Sequence, residues 1–220
     1  MRGRGATPSR GRQAEARRND QSILEAALDV FSEDLRAPMS AVAKRAGVGQ
    51  ASLYRRYPSK QALLASVCRR GMTQMHETAL AALESSADPW DAFAGFVRWY
   101  LESGTPRLAG LLGSFAPAEE LFALARATNE AIQALVERTV EAGKLRRDIT
   151  GADLTLIVTQ ISTLEANDDE RTAALRSRYL TLVLQALALR DAPELPAQAP
   201  DATELEKPWR QTQARPRQTD

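Results

Sequence analysis

The chain has 220 residues and almost balanced charge, 29 Lys+Arg against 28 Asp+Glu for a formal net charge of +1. As a bulk figure that speaks against a nucleic-acid binder, which usually carries a large positive excess. The 44% of hydrophobic residues can build a core, and the single cysteine (Cys68) and single histidine (His76) exclude an intrachain disulfide, a multi-cysteine zinc site and a histidine pair for a metal. No apolar run approaches the roughly 18 residues of a membrane span, and the start of the chain lacks the apolar stretch of a signal peptide. A cytoplasmic protein with no membrane partner and no cofactor is the expectation.

Taken in chain order, residues 1–18 are rich in Gly, Arg and small polar residues without an apolar period, which predicts a disordered basic arm. A first helix is predicted from Asp20, a good N-cap, to Ser32, with Ile23, Ala27, Val30 and Phe31 on one stripe. Pro38 opens a short second helix ended by Gly47. A third, GQASLYRRY, stops at Pro58. Ser59 caps a long fourth helix in which Gly71 weakens the middle and is expected to mark a bend. Further helices are expected over DPWDAFAGFVRWYLES, over the shorter RLAGLLGSF, and over AEELFALARATNEAIQALVERTVEAG. After the connection KLRRDIT, two more run through GADLTLIVTQISTLEA and from Asp168 to Leu189. From Asp191 onward five of the eleven prolines crowd the chain, which predicts a disordered tail over 191–220. About nine helices and no strand pattern make an all-α architecture.

The segment VAKRAGVGQASLYRRY has the logic of a helix-turn-helix. Ala43 and Ala46 are small enough for two helices to cross closely, Gly47 permits the left-handed turn, and Val48 plugs the corner. Leu53 points inward, which leaves Gln50, Ala51, Tyr54 and Arg55 to face outward as the floor contacts of a major groove.

With its flanks ILEAALDVF and AVAKRAGVGQASLYRRYPSKQALL, this segment resembles the N-terminal domain of the TetR family of transcriptional regulators. The resemblance covers about residues 19–66; the later helices match the family only in number, length and order. It implies a helix-turn-helix DNA-binding domain at 19–66 and an effector-binding and dimerisation domain at 67–190. It also implies that Gln50 and Ala51 meet base edges, Gln by a bidentate pair with adenine and Ala on a thymine methyl. Tyr54 then contacts backbone or base, Ser52 and Arg56 contact phosphate, and Lys60 adds its ammonium to a phosphate at the start of the fourth helix. Ser40 falls where some members read a base. Two departures stand out: the link SEDLRAP is about two residues shorter than usual and lacks a Gly, and Ala37-Pro38 replace the Ser/Thr cap of the second helix.

Split by position, the balanced charge separates. Residues 1–70 hold 14 Lys/Arg and 6 Asp/Glu, or +8, and the other 150 hold 15 and 22, or −7. A basic head on an acidic body is what a DNA-facing domain requires, because counterion release is local. Arg69-Arg70 read as an ordinary solvated face, and the arm reads either as a minor-groove extension or as a plain leader.

Trp90, Phe93, Phe96, Trp99 and Tyr100 share one helix. They read either as core packing or, in part, as the wall of an effector pocket together with Met72, Met75, His76, Phe115, Phe122 and Asn129. Such a wall suits a hydrophobic or aromatic ligand. His76 reads equally as an ordinary core or surface histidine, and Cys68 as a packed thiol. The last two helices resemble the family's dimer pair and put Leu154, Ile157, Val158, Ile161, Leu175, Tyr179, Leu182, Val183 and Ala186 at an interface. The reading is a homodimeric repressor on a palindromic double-stranded operator, relieved by a small molecule. A ligand-independent DNA-binding or architectural protein, and an all-α enzyme, are the alternatives; the enzyme would need a nucleophile–base pair or metal cluster that the sequence does not display.

Overall fold

The computed structural model describes residues 10–111, 113–115, 117–188, 192–201 and 203–205, with the backbone alone over 10–17. Among the described residues the chain is all-helical: α1 Arg10–Glu33, α2 Met39–Ala46, α3 Gln50–Arg56, α4 Lys60–Glu84, α5 Pro89–Glu102, a 3₁₀ segment Thr105–Gly110, α6 Glu119–Glu141, α7 Gly151–Ser162 and α8 Asp169–Leu187. It divides into two compact units, 1–67 and 68–220, with α4 running across the division.

In the first unit, Ile23, Ala27 and Phe31 on α1, Val42 and Ala43 on α2, and Leu53 on α3 are all at most 2% exposed. The corner between α2 and α3 follows from Gly47 at φ 68, the left-handed region open to glycine. There the Val48 N–H donates to the Ala43 carbonyl (3.0 Å) and the Gly47 N–H to that of Lys44 (3.3 Å), the paired bonds of a Schellman turn. The helix α1 begins ten residues before Asp20, so the part of the expected disordered arm at 10–18 is helical and Asp20 lies inside the helix instead of capping it. Gln13, Ala14, Glu15, Ala16, Arg17 and Arg18 are strong helix formers with no apolar face, so propensity carries a helix there that apolar periodicity does not register. The rest of that arm, residues 1–9, lies outside the described residues.

In the second unit α5 packs against α6, α7 and α8. Thr150 and Asp153 form a reciprocal capping box at the start of α7. Its first residue, Gly151, sits against α6: a Cβ there would lie 3.1 Å from the backbone nitrogen of Gln133. On α6, Arg138 donates to the carbonyls of Ala82 (3.0 Å), Leu83 (2.7 Å) and Ser85 (2.7 Å), satisfying the exposed carbonyl end of α4.

Helix α4 is continuous through Gly71, which makes room for Leu108: the Leu108 Cδ1 lies 2.4 Å from where a Cβ would stand. Two further expectations change. The helix expected over RLAGLLGSF is only a 3₁₀ segment ending at Gly110, because glycines at 110 and 113, the latter at φ 86, end the helical course. The stretch after α8 is not wholly a disordered tail: Leu195 and Pro193 are hydrogen-bonded to the body, and residues 203–205 form a helical turn. Residues 206–220 lie outside the described residues.

Candidate DNA-recognition surface and ligand cavity

The face of α3 is built by one buried anchor. Leu53 is fully buried, which turns Gln50, Ala51, Ser52, Tyr54, Arg55 and Arg56 outward; all six are exposed, Tyr54 by 48%. Ser40, the second residue of α2, is half-buried. The side chains of Gln50, Ala51, Ser52, Tyr54 and Arg55 engage no partner among the described residues, which leaves them available as groove-reading groups.

The two remaining cations are engaged. Arg56 Nε pairs with Asp20 Oδ1 at 2.7 Å, and the same oxygen accepts from the Tyr57 hydroxyl at 2.5 Å. Lys60 Nζ donates to the carbonyls of Leu35 (2.5 Å) and Ala37 (2.8 Å) and lies 4.7 Å from the centre of the Phe31 ring. Desolvation lowers the Lys60 pKa below the ordinary lysine value, partly offset by Asp34. In the free protein Lys60 therefore holds the α1–α2 link, and α2 starts without a side-chain cap at Pro38.

The second unit contains a cavity of about 210 Å³. Of the residues expected at a pocket, Met72, Met75, Tyr100 and Asn129 line it; His76, Phe93, Phe96, Trp99, Phe115 and Phe122 do not. Phe93 and Phe96 are at most 2% exposed inside the α5 core, and Phe96 stacks on Tyr100 with centroids 6.1 Å apart. One turn of helix separates the two roles: Phe96 stays in the core, and Tyr100 reaches the cavity. Burial pushes the Tyr100 hydroxyl up to about 12, tempered by its hydrogen bond with Thr159, so it stands at the wall as a neutral phenol.

Sequence reasoning missed the rest of the wall. Pro106 and Leu108 come from the 3₁₀ segment, Thr128 from α6, Thr155 and Thr159 from α7, and Glu204 and Leu205 from beyond α8. The i, i+4 spacing of Thr155 and Thr159 was a usable signal for a polar-flanked face of α7. Thr128 Oγ1 donates to the Leu124 carbonyl (2.7 Å) and Thr155 Oγ1 to that of Gly151 (2.9 Å), so both hydroxyls already have acceptors.

The expected interface residues divide in two. Leu154, Val158 and Ile161 are at most 7% exposed and pack inside their own chain, so they are not available to a second copy. Ile157, Leu175 and Val183 are half-buried, whereas Tyr179, Leu182 and Ala186 are exposed, Tyr179 by 45% and Leu182 by 49%. On α8, Leu180, Leu184 and Leu187 face the core, and Leu175, Tyr179, Leu182 and Ala186 make a second stripe at i, i+4, i+7, i+11. A helix with two apolar stripes is what a shared bundle requires, and periodicity alone does not say which stripe faces inward.

Residues 23–67 match the model of the bacterial regulatory proteins of the tetR family, and residues 88–189 match that of the SbtR-like transcriptional regulator C-terminal domain, about two thirds of the chain together. The chain belongs to the TetR family of transcriptional regulators. Its fold is shared with the TetR transcriptional regulator SCO0520 from Streptomyces coelicolor at 26% identity and TM-score 0.55, over 78% of this chain and 99% of that one. A TetR regulatory protein from Mycobacterium vanbaalenii is similar at 25% identity and TM-score 0.56, over 80% and 99%. FadR from Bacillus subtilis, solved with stearoyl-CoA, shares the fold alone at 17% identity and TM-score 0.51, over 76% and 98%. No curated protein matches the chain.

As a TetR-family member the protein is a DNA-binding transcription regulator. Among the described residues no helix is long and apolar enough to cross a membrane, and no group of three His, Cys, Asp or Glu could hold a metal ion. The Lys60 geometry has a measurable consequence. Lys60→Met keeps the aliphatic stem over Phe31 but removes both hydrogen bonds, and it should lower stability by about 1–2 kcal/mol. A urea denaturation series checks this; an unchanged midpoint would show that the link needs no cation.

Proposed function

We propose that this TetR-family regulator acts in the cytoplasm as a homodimeric repressor, bound to a palindromic operator and released by a small, uncharged, mostly apolar effector. The observation that carries the reading is the course of α4. One uninterrupted helix starts with Lys60, directly after α3, and contributes Met72 and Met75 to the cavity wall. A ligand that prefers one position of α4 over another can change operator affinity by its differential binding energy, and by no more than that.

On this reading Gln50, Ala51 and Tyr54 read base edges, Ser52, Arg55 and Arg56 position the backbone, and Lys60 and Ser40 support them from the flanks. Arg56 exchanges Asp20 for a phosphate on binding. The effector is compact, because about 210 Å³ is below the roughly 300–1,000 Å³ of drug-sized sites. It finds a phenol at Tyr100 and an amide at Asn129 as its polar contacts. The outer stripe Leu175–Tyr179–Leu182–Ala186, with Ile157 and Val183 at its edge, supplies the dimer contact, which sets two recognition helices at the half-sites of a two-fold operator.

The test is a footprint on the DNA upstream of the chain's own gene. Wild type should protect a palindrome, and Gln50→Ala combined with Tyr54→Ala should cost about 2–5 kcal/mol of operator affinity, while weak non-specific binding survives. Binding by the double variant equal to wild type would overturn the recognition surface.

For the dimer, Leu182→Arg should yield a monomer in sedimentation and abolish the two-half-site footprint. A dimeric Leu182→Arg protein would place the interface elsewhere.

The third arm concerns the link between cavity and α4. Gly71→Ala puts a Cβ 2.4 Å from the Leu108 Cδ1, so Leu108, a residue of the cavity wall, must shift. It should raise the effector concentration for half-release by about tenfold, or ~1.4 kcal/mol, with operator affinity unchanged when no effector is present. Candidate effectors are first found by thermal shift, since a ligand of the native state raises its midpoint.

A further inference from the structure

The stretch after α8 carries prolines and no apolar period, yet the body grips it at two places. The first is an ion pair that reads backbone. Arg146 holds Asp148 through Nε to Oδ1 (2.5 Å) and Nη2 to Oδ2 (2.7 Å). Each partner then takes one backbone group of the stretch: Arg146 Nη2 donates to the Pro193 carbonyl (2.9 Å), and Asp148 Oδ2 accepts from the Leu195 N–H (2.7 Å). Arg146 is itself pinned, since its backbone N–H donates to the Leu187 carbonyl at the end of α8 (3.0 Å). The Arg146 hydrogen bonds, and then that of Leu195, hold the Asp148 carboxyl below the usual carboxylate range, so the clasp stays charged at neutral pH.

The second place is the cavity. The sequence DATE at 201–204 has the capping-box form, and the reciprocal bonds are present: Glu204 N–H to Asp201 Oδ1 (2.9 Å) and Asp201 N–H to Glu204 Oε2 (3.1 Å). This local turn needs no tertiary contact to set its shape. It delivers Glu204 and the half-buried Leu205 to the wall of the cavity that Met72 and Leu108 also line. Glu204 is the one charged residue along that wall among the described residues, and its carboxylate is used in the turn.

We propose that the stretch formed by residues 193–201 and 203–205 is a strap over the cavity: Leu205 is a removable plug, the Asp201–Glu204 hydrogen bonds carry it, and the Arg146–Asp148 clasp is the hinge that keeps it tethered. The inference rests on the reading of the cavity as the effector site. An apolar effector enters by displacing Leu205 and not the clasp. Tethering keeps Leu205 at high effective concentration, so re-closure is fast and the strap raises the effector level needed for a response. A backbone-reading clasp also tolerates changes in strap side chains, while the plug position requires an apolar group.

The experiment uses the full chain and the neutral fluorophore N-phenyl-1-naphthylamine. Leu205→Ser should bind it at least fivefold more tightly than wild type and with faster association. Asp148→Asn should act in the same direction, and the double variant should gain little beyond either one. In wild type, saturation with the fluorophore should increase hydrogen exchange at residues 203–205 and leave the Leu195 amide protected. Equal or weaker binding by Leu205→Ser, or no binding by either protein, overturns the proposal and makes Leu205 a fixed wall or a bystander. Exchange that rises at Leu195 together with 203–205 overturns the hinge. Operator release is scored separately. Fluorophore uptake that obeys the strap without releasing DNA sinks the effector reading alone, whereas release with no effect of Leu205→Ser sinks the strap alone.

Discussion

One lysine ammonium organises the recognition unit. The short link between α1 and α2 has no glycine to turn on and no side-chain cap for α2, so its carbonyls would be left to solvent at the point where the second helix must be aimed. Lys60 supplies the missing donors to Leu35 and Ala37, and the Phe31 ring holds its charge from below. A residue read from sequence as a phosphate contact is thus, in the free protein, the support on which the orientation of α2 rests. The two roles are compatible, since an ammonium has three donors and two are committed.

The far end of the same helix is held in the same chemical manner. Arg138 gives two hydrogen bonds to carbonyls of the last turn of α4 and a third to Ser85 just past it, where the helix dipole is negative and a cation is favoured. Between these two ends α4 passes Gly71, the one position without a side chain where Leu108 can press against the helix backbone. A 25-residue helix spans about 37 Å. Lys60 ties the start of α4 to the α1–α2 link, Arg138 ties its end to α6, and Gly71 gives Leu108 a notch in the helix surface.

Much of this was legible in the sequence, and the part that was not has physical causes. Helix boundaries marked by chemistry were readable: Gly47, Asp88-Pro89, Thr150 and Asp168 each fix a terminus through a cap or a φ value. The outward face of α3 was also readable, because a seven-residue helix with one buried Leu has only one way to face. The sequence was silent where a signal had two structural meanings. Leu154, Val158 and Ile161 form a stripe on α7 whether it faces its own core or a second copy, and here it faces the core. Phe93, Phe96 and Tyr100 share a helix face, but only tertiary packing decides which of them borders empty space. The Arg146–Asp148 clasp reads main chain, so no side-chain pattern in the strap announces it.

The charge of the head also changes meaning once its cations are placed. Of the positive residues that make residues 1–70 carry +8, Arg45 is paired with Asp29 at 3.2 Å, Arg56 with Asp20, and Lys60 with two carbonyls. The +8 already subtracts Asp20 and Asp29, so these pairs do not lower the net charge of the head; they fix where Arg45, Arg56 and Lys60 stand in the free protein. Exposed pairs of this kind contribute only about 0–1 kcal/mol to stability. What such a pair supplies is position: Asp20 holds the Arg56 guanidinium in place beside α3. The acidic residues of α1 thus place cations that the charge count only totals: the net +8 says how positive the head is, and the pairs with Asp20 and Asp29 say where two of its cations are held.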